Sequence, residues 1–180
     1  MKAFRRNFRY WLPVLLWLGV IAFESFRLSS DVTGSWLWRI IHLLHIRISA
    51  SQFAELHHLL RKAGHLTGYG LLCLLLFRSW YHTLFDTGEE VIAGSASKRG
   101  RKSARHSPAL RWRCVALALG LTLLTAMLDE WHQSFDVSRT GTPWDVVLDF
   151  VGALCFLAIA LFGLGLWPTQ PVEELEQVSV

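Results

Sequence analysis

Four apolar runs alternate with polar connections along this 180-residue chain. Each run is shorter than the roughly 20 residues that a helix needs to cross the hydrocarbon core of a membrane. Each reaches that length only when its polar end is included, so polar groups are expected at the edge of the bilayer. The pattern predicts an all-α, polytopic membrane protein with a four-helix transmembrane domain over 10–167, whose spans are 10–28, 62–80, 112–130 and 146–167.

The composition supports this prediction, because the chain is 52% hydrophobic and contains nine Trp and eleven Phe. The lipid bilayer is therefore its expected environment. The cysteines, Cys73, Cys114 and Cys155, each fall within an apolar run. They have neither a CxxC nor a Cys/His spacing, so neither a disulfide framework nor a zinc site is predicted. No cofactor is indicated.

The distribution of Lys and Arg predicts the orientation of the helices. Residues 2–9 carry four basic side chains, and the connection 81–113 carries seven. Both segments are predicted to be cytoplasmic, which places both termini on the cytoplasmic side of the membrane. Within that connection, 86–110 is rich in Gly, Ser, Lys and Arg and is predicted to be disordered. Its basic cluster is expected to meet anionic lipid rather than nucleic acid. Residues 168–180 form an acidic tail.

The first outer connection predicts further helical structure. Apolar positions in 36–48 lie on one helical face, which is typical of an amphipathic helix on the membrane surface. Ser51 is the predicted cap of another helix that begins at Gln52. That helix either packs over the bundle or continues unbroken into the second span.

The polar ends of all four spans fall on the same, outer side under this topology. Spacing within each helix places Lys62, His65 and Tyr69 on one face, and Asp129 and Gln133 on another. Asp145, Asp149 and Gly152 share a third face. Charged groups at such a depth are costly, so their convergence predicts a functional polar site.

This set of side chains is able to hold a proton relay, a cation or a phosphate-bearing head group. We predict catalytic roles for Lys62, His65, Asp129 and Glu130, with Asp129 or Glu130 as the general base. Lys62, His65 and Arg139 would hold an anion. The predicted binding residues are Glu24, Tyr69, Gln133, Arg139, Asp145 and Asp149. No HExxH or DxD-type spacing is present, so no metal site is assigned.

Structural explanations compete with these roles. Thr142-Pro143-Trp144-Asp145 has the pattern of a helix cap, which would give Asp145 a structural role. Arg139 can equally pair with a carboxylate of its own hairpin, and Gly152 can serve close helix packing. His57, His58 and His132 are interpreted as bystanders.

The motifs resemble those of the VanZ-like membrane proteins. They are Arg61-Lys62-x-x-His65-x-x-x-Tyr69, Asp129-Glu130-x-x-Gln133 with Arg139, and Asp145-x-x-x-Asp149-x-x-Gly152. The resemblance implies a multi-pass protein of the bacterial inner membrane that acts in the cell envelope. The family is named for a member associated with low-level resistance to teicoplanin, a lipid-bearing glycopeptide antibiotic. Asp149 departs from the asparagine expected there in many relatives.

Three functions are compatible with these observations. The first is binding or modification of a lipid-linked or other anionic envelope ligand at the outer face. The alternatives are an ion-coupled transporter or channel module, which would require a homo-oligomer, and a structural partner of cell-wall enzymes. Whether the protein is an enzyme stays open.

Overall fold

The computed structural model describes residues 2–27, 30–93, 108–135 and 142–163, and these ranges contain helices and turns without a strand. The prediction of an all-α fold is therefore confirmed. Arg139, most of the predicted basic loop (94–107) and the tail at 168–180 lie outside the described residues. The helices are α1 (Lys2–Arg27), α2 (Ser30–Leu43), α3 (Ala50–Ala93), α4 (Pro108–Gln133) and α5 (Pro143–Ala158), which ends in a π-helical turn, Ile159–Gly163.

Helix α3 lies at the centre of the bundle and packs against α1, α4 and α5. Its 44 residues give a length of roughly 66 Å, about twice the thickness of the hydrocarbon core. It runs without a break from the first connection into the second predicted span. It also continues to Ala93, eight residues into the segment predicted as a disordered loop, because 86–93 contains no proline and is rich in residues that helices tolerate.

The helices alternate in direction. The Ser79 hydroxyl donates a hydrogen bond to the carbonyl oxygen of Tyr10 (2.7 Å), and the Trp17 indole donates to that of Gly68 (2.9 Å). The later residue of α1 meets the earlier residue of α3, so these two helices are antiparallel. Leu66 approaches Gly152 whereas Gly70 approaches Phe156, so α3 and α5 are parallel.

Three helices contain stretches long and apolar enough to cross a membrane, namely Asn7–Ser25, Ala109–Gln133 and Pro143–Gly163. Helix α3 is not among them, because polar residues such as His65 and Arg78 flank its short apolar run. The count of four spans therefore stays a prediction. The packing of α3 alongside all three apolar helices supports it.

Small side chains allow the helices to approach closely. On α4, the buried residues Cys114, Ala118, Thr122 and Ala126 recur at intervals of four and form one face. Among the described glycines, Gly152 makes the closest approach to another helix, because a Cβ there would lie 2.2 Å from the carbonyl oxygen of Leu66. Interfaces of this kind are typical of membrane helices, where van der Waals packing replaces the hydrophobic effect between helices.

Large apolar side chains cover the outside of the bundle. On α4 and α5 they include Leu124, Met127, Trp131, Val151 and Leu154, all exposed. Only 11% of the Asn7–Ser25 stretch of α1 is buried. A surface of this composition indicates contact with lipid.

Helix α2 begins and ends earlier than the amphipathic helix predicted over 36–48. It stops at Leu43 because His45 adopts a left-handed conformation with φ 55°. The backbone amide of His45 donates to the His42 carbonyl (3.1 Å), and that of Ile46 donates to the Ile41 carbonyl (3.2 Å). This pair of backbone hydrogen bonds is a Schellman motif, which commonly ends a helix.

The start of α3 also differs from the prediction. The cap is Ser49 rather than Ser51, and the helix begins at Ala50. The Gln52 amide donates to Ser49 Oγ (3.2 Å), while the Ser49 amide donates to Gln52 Oε1 (2.9 Å). This reciprocal pair is a capping box, and it satisfies two amides that the first turn would otherwise leave unpaired.

Candidate functional site

Polar side chains from four helices lie at one end of the bundle. Glu24 is near the end of α1, His65 is in the first half of α3, Asp129 is near the end of α4, and Asp149 is near the start of α5. The alternating helix directions bring these positions to the same end.

Asp129 is the centre of one hydrogen-bonded group. Its Oδ2 accepts a bond from the Tyr69 hydroxyl (2.7 Å) and a second from Gln133 Nε2 (3.0 Å). Gln133 follows Asp129 by one helical turn, as its spacing predicts. Tyr69 and Gln133 are buried, with 2% and 1% of their surfaces exposed. Two hydrogen bonds, one from α3 and one from α4, therefore hold the Asp129 carboxylate in place.

His65 and Asp149 form a second group, with 3.4 Å between His65 Nδ1 and Asp149 Oδ1. Asp149 is buried, whereas the His65 side chain is 22% exposed. The contact depends on Gly152, one turn after Asp149, because its lack of a side chain lets α5 touch the backbone of α3 at Leu66. Since Nδ1 faces Asp149, Nε2 is the ring nitrogen left for a ligand.

A cavity of about 540 Å³ opens between α1, α2, α3 and α4. Its volume lies in the range of pockets that hold drug-sized ligands. One part of its wall is apolar and is formed by Ile21, Trp36, Leu37, Ile40 and Leu60. The other part is polar and is formed by Glu24, Ser25, Thr33, His57, Arg61, His65, Tyr69, Asp129 and Gln133.

Helix α2 forms one wall of this cavity and is held against α3 by few contacts. Thr33 Oγ1 and His57 Nε2 are hydrogen-bonded at 2.9 Å. The rings of Trp38 and Phe53 meet edge to face, with 5.1 Å between their centroids. The amphipathic helix predicted on the membrane surface thus also forms part of the cavity wall.

Two predicted site residues do not line the cavity. Asp145 is in the first turn of α5, and Glu130, in the last turn of α4, contacts the start of α5. Glu130 is 8% exposed and accepts a hydrogen bond from the backbone amide of Thr142. Thr142 occupies the N-cap with Pro143 next to it, as predicted, and its hydroxyl donates to Asp145 Oδ2 (3.0 Å). These contacts give both carboxylates a part in starting the helix.

The basic residue that lines the cavity is Arg61. Lys62 is exposed and instead borders a small groove with His58, His65 and Asp145. Successive residues of a helix differ in direction by about 100°, so adjacent basic residues reach different surfaces.

A comparison with protein families confirms the resemblance. The family model described as VanZ/LLP1 matches residues 10–164. The chain belongs to the VanZ/LLP1 family. No curated protein and no solved structure matches the sequence. The family match and the apolar helices together identify a VanZ-like membrane protein.

The cavity of this VanZ/LLP1 protein is lined by residues to which the sequence analysis assigned no role. They include Arg61, which was named only within the motif, His57, which was interpreted as a bystander, and Thr33. A sequence signal exists for α3, because 57, 61, 64 and 68 recur at helical spacing and all line the cavity. The contribution of α2 has no such signal, since it depends on how the first connection folds back.

Proposed function

We propose that the protein binds an amphiphilic ligand of the cell envelope, a lipid or a lipid-linked precursor, in the cavity between α1, α2, α3 and α4. The observation that carries this proposal is the division of the cavity wall into an apolar part and a polar part. Trp36, Leu37 and Ile40 would receive the hydrocarbon chain, and the polar part would receive the head group. A lipid-like molecule is likewise divided into an apolar chain and a polar head group.

The orientation of the protein completes this proposal. We place the polar end of the bundle at the outer face of the inner membrane, because the basic start of α1 (2–9) and the start of α4, with Arg111 and Arg113, lie toward the other end of the helices. Helix α2, with its exposed Trp36, Trp38 and Leu43, would then rest in the outer leaflet. A lipid could enter the cavity directly from that leaflet.

Arg61 and His65 are the groups proposed to hold an anionic part of the head group. Arginine binds phosphate and carboxylate through two parallel hydrogen bonds, which lysine cannot form. We therefore assign to Arg61 the anion-binding role that was predicted for Lys62. Arg139 keeps its predicted role as a second anion-binding residue.

This proposal is tested with the purified full-length protein in detergent and a series of dilauroyl phospholipids that differ in head group. We expect saturable thermal stabilisation by at least one member of the series. Arg61→Gln should weaken the apparent affinity about tenfold, the cost of losing a hydrogen bond to a charged group. Lys62→Gln is the matched control and should change the affinity less than about twofold. A series without saturable stabilisation for any head group would reject the proposed function.

A second candidate function is acid–base chemistry on the bound head group, and the His65–Asp149 pair favours it. A carboxylate behind one imidazole nitrogen orients the ring and stabilises its protonated form, while the other nitrogen removes a proton from the ligand. The separation of 3.4 Å is longer than a good hydrogen bond, and such contacts commonly shorten when a ligand is bound. His65 thus replaces Glu130 as the favoured base beside Asp129.

The second candidate predicts that His65→Gln separates binding from turnover. In an assay of radiolabelled envelope lipids with membranes of the full-length protein, this variant should retain lipid-induced stabilisation and lose product formation. Glutamine keeps a polar group of similar length but cannot accept and return a proton at neutral pH. Equal product formation by the variant and the unmodified protein would exclude His65 as the base.

A further inference from the structure

One hydrogen-bond acceptor beside Asp129 is left without a donor in the part of the chain that the structure describes. Two neutral donors, the Tyr69 hydroxyl and Gln133 Nε2, are both bound to Asp129 Oδ2. Gln133 Oε1 is buried and has no hydrogen-bond partner among the described residues, although Gln133 lines the cavity and is only 1% exposed. The cluster of Tyr69, Asp129 and Gln133 therefore lacks a hydrogen-bond donor for the buried Gln133 Oε1.

The identity of that oxygen is fixed by its neighbour. A carboxylate only accepts hydrogen bonds, so the amide atom that faces Asp129 must be the nitrogen. Rotating the amide by half a turn would bring two acceptors together. A buried acceptor without a partner costs about 1–3 kcal/mol, so a ligand that supplies an N–H group there gains affinity.

The charge of Asp129 indicates which donor suits the site. The carboxylate lies beside the unpaired amide oxygen, and no lysine or arginine nitrogen within the described ranges is paired with it. A positively charged group with several N–H bonds would satisfy both. A quaternary ammonium has no N–H bond and is bound by cages of aromatic faces, whereas the Tyr69 hydroxyl here is directed to the carboxylate.

We propose that Asp129 and Gln133 Oε1 form an ammonium subsite, so that the ligand is an amphiphile whose head group carries a primary amine beside an anionic group. This inference rests on the proposed function and narrows its ligand class. Arg61 and His65, which line the same cavity, bind the anionic group. The anionic ligand expected from the sequence thus becomes a zwitterionic one.

Head-group selectivity tests this inference. The full-length protein is titrated with dilauroyl phosphatidylethanolamine, phosphatidylcholine and phosphatidylglycerol, and thermal stabilisation is recorded. We expect phosphatidylethanolamine to bind about tenfold tighter than the other two, since only its head group combines a positive charge with N–H donors; phosphatidylcholine has no N–H bond, and the hydroxyl donors of phosphatidylglycerol are uncharged. Asp129→Asn, which keeps the shape of the side chain, should abolish this preference. Glu55→Gln, which removes an exposed carboxylate of α3 outside the cavity, should retain it.

The outcomes separate this inference from the proposed function. Equal affinities for the three lipids, or a preference that survives in Asp129→Asn, would overturn the ammonium subsite while leaving lipid binding intact. Stabilisation by sodium or potassium chloride that also displaces phosphatidylethanolamine would assign the subsite to a free inorganic cation and overturn the inference. Where Asp129→Asn does not fold, Gln133→Met replaces it and is expected to reduce the preference several-fold. Absence of binding by all three lipids would reject the proposed function itself.

Discussion

His65 and Asp149 place a titratable pair inside the bundle, where an unpaired charge is costly. Removing one partner of a buried pair typically costs about 3–5 kcal/mol, because the other group is left without compensation. A pair in contact should therefore show energetic coupling. For His65→Ala combined with Asp149→Ala, we expect a coupling energy of about 1–2 kcal/mol in a double-mutant cycle, measured by thermal unfolding in detergent.

The control for this cycle is His82→Ala combined with Asp149→Ala. His82 stacks on Tyr10, 17 residues further along α3 than His65. Changes this far apart without a shared partner should be additive within about 0.5 kcal/mol. Additivity of His65→Ala and Asp149→Ala would show that the 3.4 Å contact carries no stabilising interaction.

Single residues also show which contacts of the site could be predicted from the sequence. The pairing of Asp129 with Gln133 follows from their spacing within one helix and is present in the structure. The bond from Tyr69 to Asp129 joins two helices, and no periodicity within either helix predicts it. The choice between Arg61 and Lys62 depends on the rotation of α3 about its own axis, which neighbouring helices decide.

At the scale of the helices, the crossing of α3 and α5 holds the site together. A Cβ at position 152 would lie 2.2 Å from the carbonyl oxygen of Leu66, which is a backbone atom and cannot rotate away. Gly152→Ala must therefore separate the two helices and lengthen the His65–Asp149 contact. We expect a loss of about 1–3 kcal/mol in stability, as for other overpacked sites, together with weaker lipid binding. Thermal unfolding with and without dilauroyl phospholipid measures both effects.

Gly120→Ala on α4 is the matched control, because a Cβ at position 120 meets nothing within 4 Å. Alanine in the interior of a helix stabilises it by roughly 0.5–1 kcal/mol relative to glycine. The control should leave the stability unchanged or slightly increased. A loss of stability that is equal in the two variants would contradict the importance of the crossing at Gly152.

The capping box at the start of α3 gives a second prediction at this scale. Ser49→Ala removes the acceptor for the Gln52 amide, and such a loss costs about 1 kcal/mol. Fraying of the first turn should appear as faster hydrogen–deuterium exchange in residues 50–56. Ser51→Ala, at the cap predicted from the sequence, should leave that exchange nearly unchanged. Faster exchange in Ser51→Ala than in Ser49→Ala would identify Ser51 as the cap.

The helix boundaries explain why the first connection was predicted only in outline. The apolar periodicity indicated an amphipathic helix, but the helix stops at Leu43 because of the left-handed backbone at His45, a residue type that does not itself mark a helix end. The left-handed backbone there and the Ser49–Gln52 capping box together set the fold of the connection. Capping boxes have a recognisable spacing, so the start of α3 could have been predicted from the sequence. The left-handed conformation of His45 could not.

At the scale of the whole molecule, the number of spans determines where the connections lie. Helix α3 runs antiparallel to α1 and parallel to α5, as the second of four alternating spans would. It is also antiparallel to α4, because Tyr69 meets Asp129 whereas the later Cys73 meets the earlier Thr122. Its composition does not by itself qualify it to cross a membrane. The bundle provides the explanation, since α3 packs against three apolar helices, which bury Tyr69, Cys73 and Ser79 on its inner face. Four spans place both termini on the same side, whereas three place them on opposite sides.

Cysteine accessibility in intact cells decides between three and four spans. Each of Ser49, Ser103 and Ser179 is replaced by cysteine in turn, in a background where the native cysteines are alanine. With an internal N-terminus and four spans, a membrane-impermeant maleimide should label position 49 in intact cells and positions 103 and 179 only after permeabilisation. If α3 does not cross, both 103 and 179 become external, because the directions of α4 and α5 are reversed. Labelling of all three positions in intact cells would therefore refute the four-span bundle, and would also remove the argument that the cavity opens at the outer face.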